Sequence, residues 1–351
     1  MVRTILTTVG TSLLTNFSRQ HGDVGADTEE NILRFLRESS PEHASAETNS
    51  LSRLLKDGDR IVFLHSQTDE GKLCAAALDK YFTSQGHSCE VREIPALSYH
   101  QSRFKMRGLR SLVAMMIDMI RKEADQGFEV MINATGGFKA EIAYATLVGL
   151  LFDVPVYYIH EAFREIIEMP PSPIAWDYSL LADYEEFFEW LDTDLRLTKD
   201  VDARLKVLPD EVKLLLSEED GYTMLSPAGE VFYEAYLAHL EKFKDVGLFL
   251  SDRACKTYTS ADANVKSIYA RSLLKVRSPV LRGSGSDQVS NCDCMVYPKG
   301  DKDERIFYFE DTRGAIYVCE LSRHSDQSYE RLISRGVKRK DYNEFIPFHE
   351  V

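Results

Sequence analysis

The first half of the sequence predicts a doubly wound α/β domain built on a parallel sheet. The second half predicts a small helical block and then an α+β domain. Three observations carry this. Apolar, β-branched runs alternate with helical stretches between residues 2 and 159. Two of those runs end in small turns that open a helix, Gly10-Thr11-Ser12 and Asn133-Ala134-Thr135-Gly136-Gly137-Phe138-Lys139. From about Val246 the texture changes to short aromatic strands joined by turns.

The elements follow in order. Residues 2–9 read as a buried strand, and 21–27 as a polar loop. Residues 28–39 and 44–56 have helical spacing, with Ser39-Ser40-Pro41 between them. Residues 60–64 read as a second strand ending in His65-Ser66-Gln67-Thr68, 70–85 as a helix, and 89–94 as a third strand. Residues 103–126 form a long helix with Leu109, Leu112, Val113, Met116 and Ile117 on one face. The strand at 128–132, the helix to 152 and the strand at 154–159 follow. The proline-rich segment 166–174 suits a domain exit rather than a central strand. Residues 184–192, 208–216 and 230–243 have helical spacing, with a short strand and turn at 221–229. Residues 248–252 look strand-like and 262–271 helical. Ser278-Pro279 and residues 282–286 read as turns. Three strands are expected at 295–297, 305–309 and 315–319, the last two joined as a hairpin. A short helix around Tyr329 and the basic run Lys338-Arg339-Lys340 come after them.

At 351 residues the chain has room for two or three domains. We expect boundaries at 1–175, 176–245 and 246–351. No apolar run reaches membrane-spanning length and no signal peptide is visible, so no membrane partner is expected. Six cysteines are scattered without a CxxC pair, which argues against a zinc site or a disulfide framework and fits a reducing cytoplasm. The net charge of −14 is uneven: residues 176–245 carry −11, whereas 246–351 carry +2. A mildly basic tail on an acidic chain points to an anionic partner for the tail.

The two glycine turns suggest an anion crevice. Glycines let an anion approach a helix N-terminus closely, Thr135 adds a hydroxyl, and Lys139 adds a charge about one turn in. In an open parallel sheet, ligands sit outside the carboxyl ends of strands where the strand order reverses.

Residues 1–175 resemble the CRISPR-associated Rossmann-fold (CARF) sensors of type III CRISPR systems. The residues carrying the resemblance are Thr8-Val9-Gly10-Thr11-Ser12 and Asn133 to Glu141. The resemblance implies a homodimer that binds cyclic oligoadenylate across its two-fold axis. It places Gly10, Thr11, Ser12, Thr135, Gly136, Gly137 and Lys139 in the crevice, with Ser66 and Gln67 as further candidates. A cyclic tetra-adenylate ring would match a two-fold dimer. Some CARF domains also cut their ligand, and Ser12 with Lys139 would be the residues for such ring-nuclease activity here. Residues 176–245 resemble a winged helix-turn-helix.

The last hundred residues resemble RelE-type mRNA interferases, which cut messenger RNA in the ribosomal A site. Arg305, Arg323 and Tyr329 match that family's arginines and terminal tyrosine, whereas Lys299 and Lys302 sit only loosely where its paired lysines would. The partners implied are the ribosome and mRNA, and no cofactor or metal is expected beyond the activating ligand. The chemistry stands on its own terms. RNA is cut without metal when the 2′-oxygen attacks the adjacent phosphate, given a proton acceptor, charge on the phosphorane and a proton donor. Arg305 and Arg323 would supply charge, and Tyr329 or His324 would move protons. A ligand-responsive transcriptional regulator reading DNA with the winged helix is the alternative, and the −11 block argues against it, because phosphate contacts need Lys and Arg.

Overall fold

The computed structural model of the protein describes residues 2–22, 28–98, 105–159, 165–170, 176–300 and 302–349. The expected loop at 21–27, the start of the helix at 103–126 and the end of the exit segment at 166–174 therefore lie partly outside the described residues. The chain divides into two compact units: Met1–Ile174 with Glu189–Ala235, and Ala175–Phe188 with Tyr236–Val351. Residues 176–245, read from sequence as a connector, are shared between the two.

The first unit opens with β1 (Arg3–Val9), α1 (Ser12–His21), α2 (Glu29–Glu38), α3 (Pro41–Ala44) and α4 (Ala46–Leu54). It continues through β2 (Arg60–Ser66), α5 (Asp69–Ser84), β3 (Ser88–Ile94) and α6 (Lys105–Asp125). Then come β4 (Glu129–Asn133), α7 (Lys139–Leu151), β5 (Val156–Tyr158) and β6 (Ile167–Met169). The sheet order is β3-β2-β1-β4-β5-β6. All pairings are parallel except that of β6, which joins β5 antiparallel. The exit segment thus contributes an edge strand that ends before Pro170.

Successive side chains of a strand face opposite ways, and both faces here are covered by helices. Ile5, Ile61, Phe63 and Met131 pack on one side with residues of α1, α2, α4 and α5. Leu6, Val62, Leu64, Val130 and Ile132 pack on the other with α6 and α7. Thr28 and Thr68 cap α2 and α5 by accepting the amides of Asn31 and Gly71.

Next along the chain are α8 (Ser179–Asp183), α9 (Glu185–Asp192), β7 (Arg196–Leu197) and α10 (Thr198–Leu205). The helix expected at 208–216 is instead a 3-10 turn over Asp210–Leu215 running into β8 (Leu216–Glu219). Then follow β9 (Tyr222–Leu225) and α11 (Pro227–Phe243). Strands β7, β9 and β8 form a small antiparallel sheet in the first unit. Arg110 of α6 bonds Asp192 at 2.8 Å and Glu230 at 2.6 Å, tying this acidic stretch to the parallel domain within the unit.

The remaining elements are β10 (Leu248–Ser251), α12 (Asp252–Ser260), α13 (Ala263–Arg277), α14 (Pro279–Gly285), β11 (Asp287–Gln288), β12 (Met295–Tyr297), β13 (Glu304–Glu310), β14 (Ile316–Arg323), α15 (Gln327–Arg335) and β15 (Phe345–Pro347). The turns expected around 278–286 are the helix α14: Ser278 accepts the Leu281 amide and Pro279 takes the first helical position. The expected hairpin of β13 and β14 is present, with a bulge at Phe307/Tyr308. The second sheet has the order β11-β12-β13-β14-β10-β15 and is mixed, because β10 runs parallel to β14. One face packs Ile306, Tyr308 and Leu321 against Tyr269 and Leu273 of α13. The other packs Phe307 and Cys319 against Tyr329, Leu332 and Ile333 of α15.

Candidate functional site

The two glycine turns meet. In the order β3-β2-β1-β4-β5-β6 the chain runs outward from β1 in one direction and, from β4, in the other, so the reversal falls between β1 and β4. The turns after these two strands are Gly10-Thr11-Ser12 and 134–138. They touch closely: a methyl group on Gly10 would lie 2.6 Å from the Gly137 amide nitrogen. Thr8 donates its hydroxyl to the Gly136 carbonyl at 2.6 Å, tying the first turn to the second.

Under the turns lie two carboxyl groups. Glu47 of α4 is fully buried, and its Oε1 accepts the Gly10 amide at 2.8 Å. Glu141 of α7 is 2% exposed. Its Oε2 accepts the Phe138 amide at 3.3 Å, and its Oε1 is buried with no hydrogen-bond partner among the described residues. The glycines make room for these acids. A methyl on Gly136 would run into Glu47 Oε1 and lie 2.6 Å from the Thr8 carbonyl, and one on Gly137 would run into Glu141 Oε2. Gly137 also has φ +94, which a side chain disfavours. Burial raises the pKa of Glu47, against the opposing Gly10 amide. Burial pushes Glu141 up to about 8; the Phe138 amide opposes this and the neighbouring Glu47 adds to it.

The expected crevice residues separate into two groups. Thr11 and Lys139 are exposed at the helix starts. The others are engaged inside the unit. The Ser12 hydroxyl accepts the Ala46 amide at 3.1 Å and lies 3.5 Å from Glu47 Oε2, so it is tied to α4. Thr135 donates to Asn133 Oδ1 at 2.8 Å and accepts the Ile159 amide at 3.2 Å. Gly10, expected to line the crevice, gives its amide to Glu47. Ser66 is buried and its hydroxyl bonds Thr68 at 3.0 Å beside Gly71. Gln67 bonds Glu93 and the Ala96 amide, each at 3.0 Å, and so steadies the end of β3.

In the second unit, Arg305, Tyr329 and His324 come together. The Arg305 guanidinium carbon lies 5.9 Å from the Tyr329 ring centre, and the His324 and Tyr329 rings are 5.0 Å apart. Arg305 is 5% exposed, and its guanidinium donates to the carbonyls of Gly300 at 2.5 Å, Glu304 at 2.8 Å and Lys302. That engagement makes it a support for the loop before β13 rather than an open phosphate fork. Arg323 is not in this group. Arg305 pairs with Ser322 and Glu304 with Arg323 in the ladder, so the two arginines face opposite sides of the sheet. Arg323 is exposed and bonds Asp303 at 2.5 Å. It lines a cleft of about 620 Å³ along the outer part of β14, with Tyr269, Asp262, Glu320, Arg331 and Arg335. The hydroxyl of Tyr269 is pushed up to about 12 by burial, although Arg323 opposes that. Lys302, loosely placed in sequence, donates to the Asp183 carbonyl. Among the described residues no group of three His, Cys, Asp or Glu could hold a metal ion.

Residues 42–172 match the model of a family described as CRISPR-associated protein (Cas_APE2256). That span holds Glu47, the whole 133–139 turn and Glu141. Among solved structures, the chain is similar to protein VC1899 from Vibrio cholerae, at 13% identity and a TM-score of 0.30 over 69% of this chain and 68% of that one. It is also similar to Can2 from Sulfobacillus thermosulfidooxidans, solved in complex with cyclic tetra-adenylate, at 9% identity and a TM-score of 0.27 over 93% and 79%.

Glu47 is the site residue that sequence reasoning passed over. A signal was present: Glu47-Thr48-Asn49-Ser50 is a whole polar helical turn, and all of it is buried. Glu141 carried a signal too, standing three residues after the Phe138 helix cap.

Proposed function

We propose that the protein is a CRISPR-associated effector that binds cyclic tetra-adenylate in the crevice between β1 and β4 and, when it does, cuts ribosome-bound mRNA with its second unit. The observation that carries the reading is the meeting of the two glycine turns at the point where the strand order reverses. The family match over residues 42–172 supports it. Lys139, exposed at the start of α7, would meet a ligand phosphate, and the α7 helix start would favour its charge. The working form would be a homodimer, with the ring lying across two equal crevices.

For cleavage, the 2′-oxygen attacks the neighbouring phosphate, the 5′-oxygen leaves, and the 2′-proton and a leaving-group proton pass through side chains. His324 and Tyr329 are the pair that would move those protons. Arg305 would hold Tyr329 in place and add positive charge beneath it. Arg323 would meet substrate phosphate from the β14 cleft after exchanging its partner Asp303. The RelE-like and winged-helix resemblances belong to this proposal, as does slow cutting of the ring by the first unit. With the Ser12 hydroxyl tied to α4, ring cutting would need that bond to open.

The test is to add cyclic tri-, tetra- and hexa-adenylate separately to a translation extract containing the full chain and to map mRNA ends. Cuts that appear with the tetramer and vanish in Tyr329→Phe with His324→Ala support the reading. Intact mRNA with all three rings overturns it.

A further inference from the structure

The first unit keeps a carboxyl pair in the one place where its proposed ligand needs positive potential. We infer that Glu47 and Glu141 are positioning residues of the crevice, that the pair carries one proton in the anion-accepting state, and that loss of this proton closes the crevice to anions. The inference rests on the ligand reading above and goes beyond it.

The geometry divides the pair. Burial raises Glu47 too, but it meets a backbone donor at 2.8 Å and has the Ser12 hydroxyl 3.5 Å from its other oxygen, so it is the better held of the two as a carboxylate. Glu141 has one long bond from Phe138, and its Oε1 has no partner. An ionised carboxylate buried with an empty oxygen is costly, and a second ionised carboxylate nearby makes it costlier. Glu141 is therefore the protonated member. The groups that act on the pair are the Gly10 and Phe138 amides and the Ser12 and Ser45 hydroxyls, none of them charged near neutrality. The charged group acting on Glu141 is Glu47. Lys139, at the start of the same helix, is exposed.

The same contacts explain the coupling. Gly136 and Gly137 are in direct contact with the two carboxyls, and Gly10 is hydrogen-bonded to one of them. A second negative charge there repels a phosphate at the turns and pushes against the glycines that shape them. With one proton on the pair, the negative charge is single and is matched by the Gly10 amide. Burial and Glu47 hold the Glu141 pKa at about 8, so the transition falls just above neutrality.

The experiment has two arms on the full-length chain. Infrared difference spectra between wild type and Glu141→Gln, without ligand at neutral pH, should show a protonated carboxyl C=O band in wild type alone. Cyclic tetra-adenylate affinity should fall about tenfold per pH unit above the transition in wild type. It should stay flat in Glu141→Gln. Glu47→Gln, which keeps an acceptor for Gly10, should flatten the profile as well and serves if Glu141→Gln does not fold. An absent band overturns the inference. So does a band accompanied by the same affinity profile in wild type and variants. If the band is present but the ring binds at no pH, the ligand reading fails, and the coupling falls with it while the proton stands.

Discussion

In the first unit two buried acids lie beneath the candidate crevice. In the second, a buried guanidinium lies 5.9 Å from the Tyr329 ring centre. Each unit thus keeps a charge under its candidate site, with opposite signs and different partners. Glu47 is held by the Gly10 amide, Glu141 has an oxygen with no donor, and Arg305 donates to three carbonyls. The acids lie against glycines of a turn that a ligand would touch. The arginine lies under a ring and braces a loop. The first arrangement can change its charge near neutral pH. The second is fixed in place by three carbonyl acceptors. A charge-bearing residue in a motif is thus either a group that touches ligand or one that sets the potential beneath it, and burial decides which.

Several substitutions sharpen or break this contrast, and the largest effect is expected at the glycines. Gly136→Glu should abolish detectable ring binding and also lower stability. Its first carbon already collides with Glu47 and the Thr8 carbonyl, and overpacking of this kind costs about 1–3 kcal/mol before its charge is counted. Calorimetry and thermal melting measure both. Wild-type affinity and melting would mean that the turns are not in contact with the acids.

Arg305→Ala should come next. It removes a buried guanidinium and its bonds to three carbonyls of the loop before β13, and should cost about 1–3 kcal/mol, together with mRNA cutting. Tyr329→Phe should lose cutting while keeping stability, since only a hydroxyl is removed. Denaturant unfolding beside a cutting assay separates the two, and an unaltered unfolding midpoint for Arg305→Ala would mark that residue as a free site group.

The pH dependence of stability is third. The folded pKa of Glu141, about 8, lies above its ordinary value of 4.5. Its contribution is therefore complete below 4.5 and is lost as pH rises through about 8. Unfolding in urea should show up to about 5 kcal/mol of decline across that window, less whatever relaxation the site allows. Glu141→Gln should remove the slope. A wild-type stability that rises with pH over the same window would contradict a protonated Glu141.

The smallest effects are expected at exposed groups. Lys139→Ala should weaken ring binding about ten- to a hundredfold, the worth of a charge-assisted bond of about 1.5–3 kcal/mol, without moving the melting temperature. Arg323→Ala should likewise leave melting unchanged and slow mRNA cutting. Unchanged affinity for the first, or unchanged cutting for the second, removes that residue from its site.

Sequence pattern alone set the alternation of strands and helices in the first 159 residues, because burial on both faces demands continuous apolar strands and one-sided helices. It also determined that residues 10–12 and 133–139 would be turns opening helices, and that β13 and β14 would form a hairpin. It did not determine where the turns point their polar groups. Tertiary structure alone brought α4 under β1, and that placement gave the Gly10 amide to Glu47. Nor could local pattern assign Arg305 and Arg323 to opposite faces, because that depends on register across a ladder whose bulge lies at Phe307/Tyr308. It missed α14 because Ser-Pro and Gly-Ser-Gly favour turns locally, while Ser278 capping and the burial of Leu281 favour a helix. Local chemistry sets the residue types available at a turn. Long-range packing decides whether each one meets solvent, a ligand or the other side of the same fold.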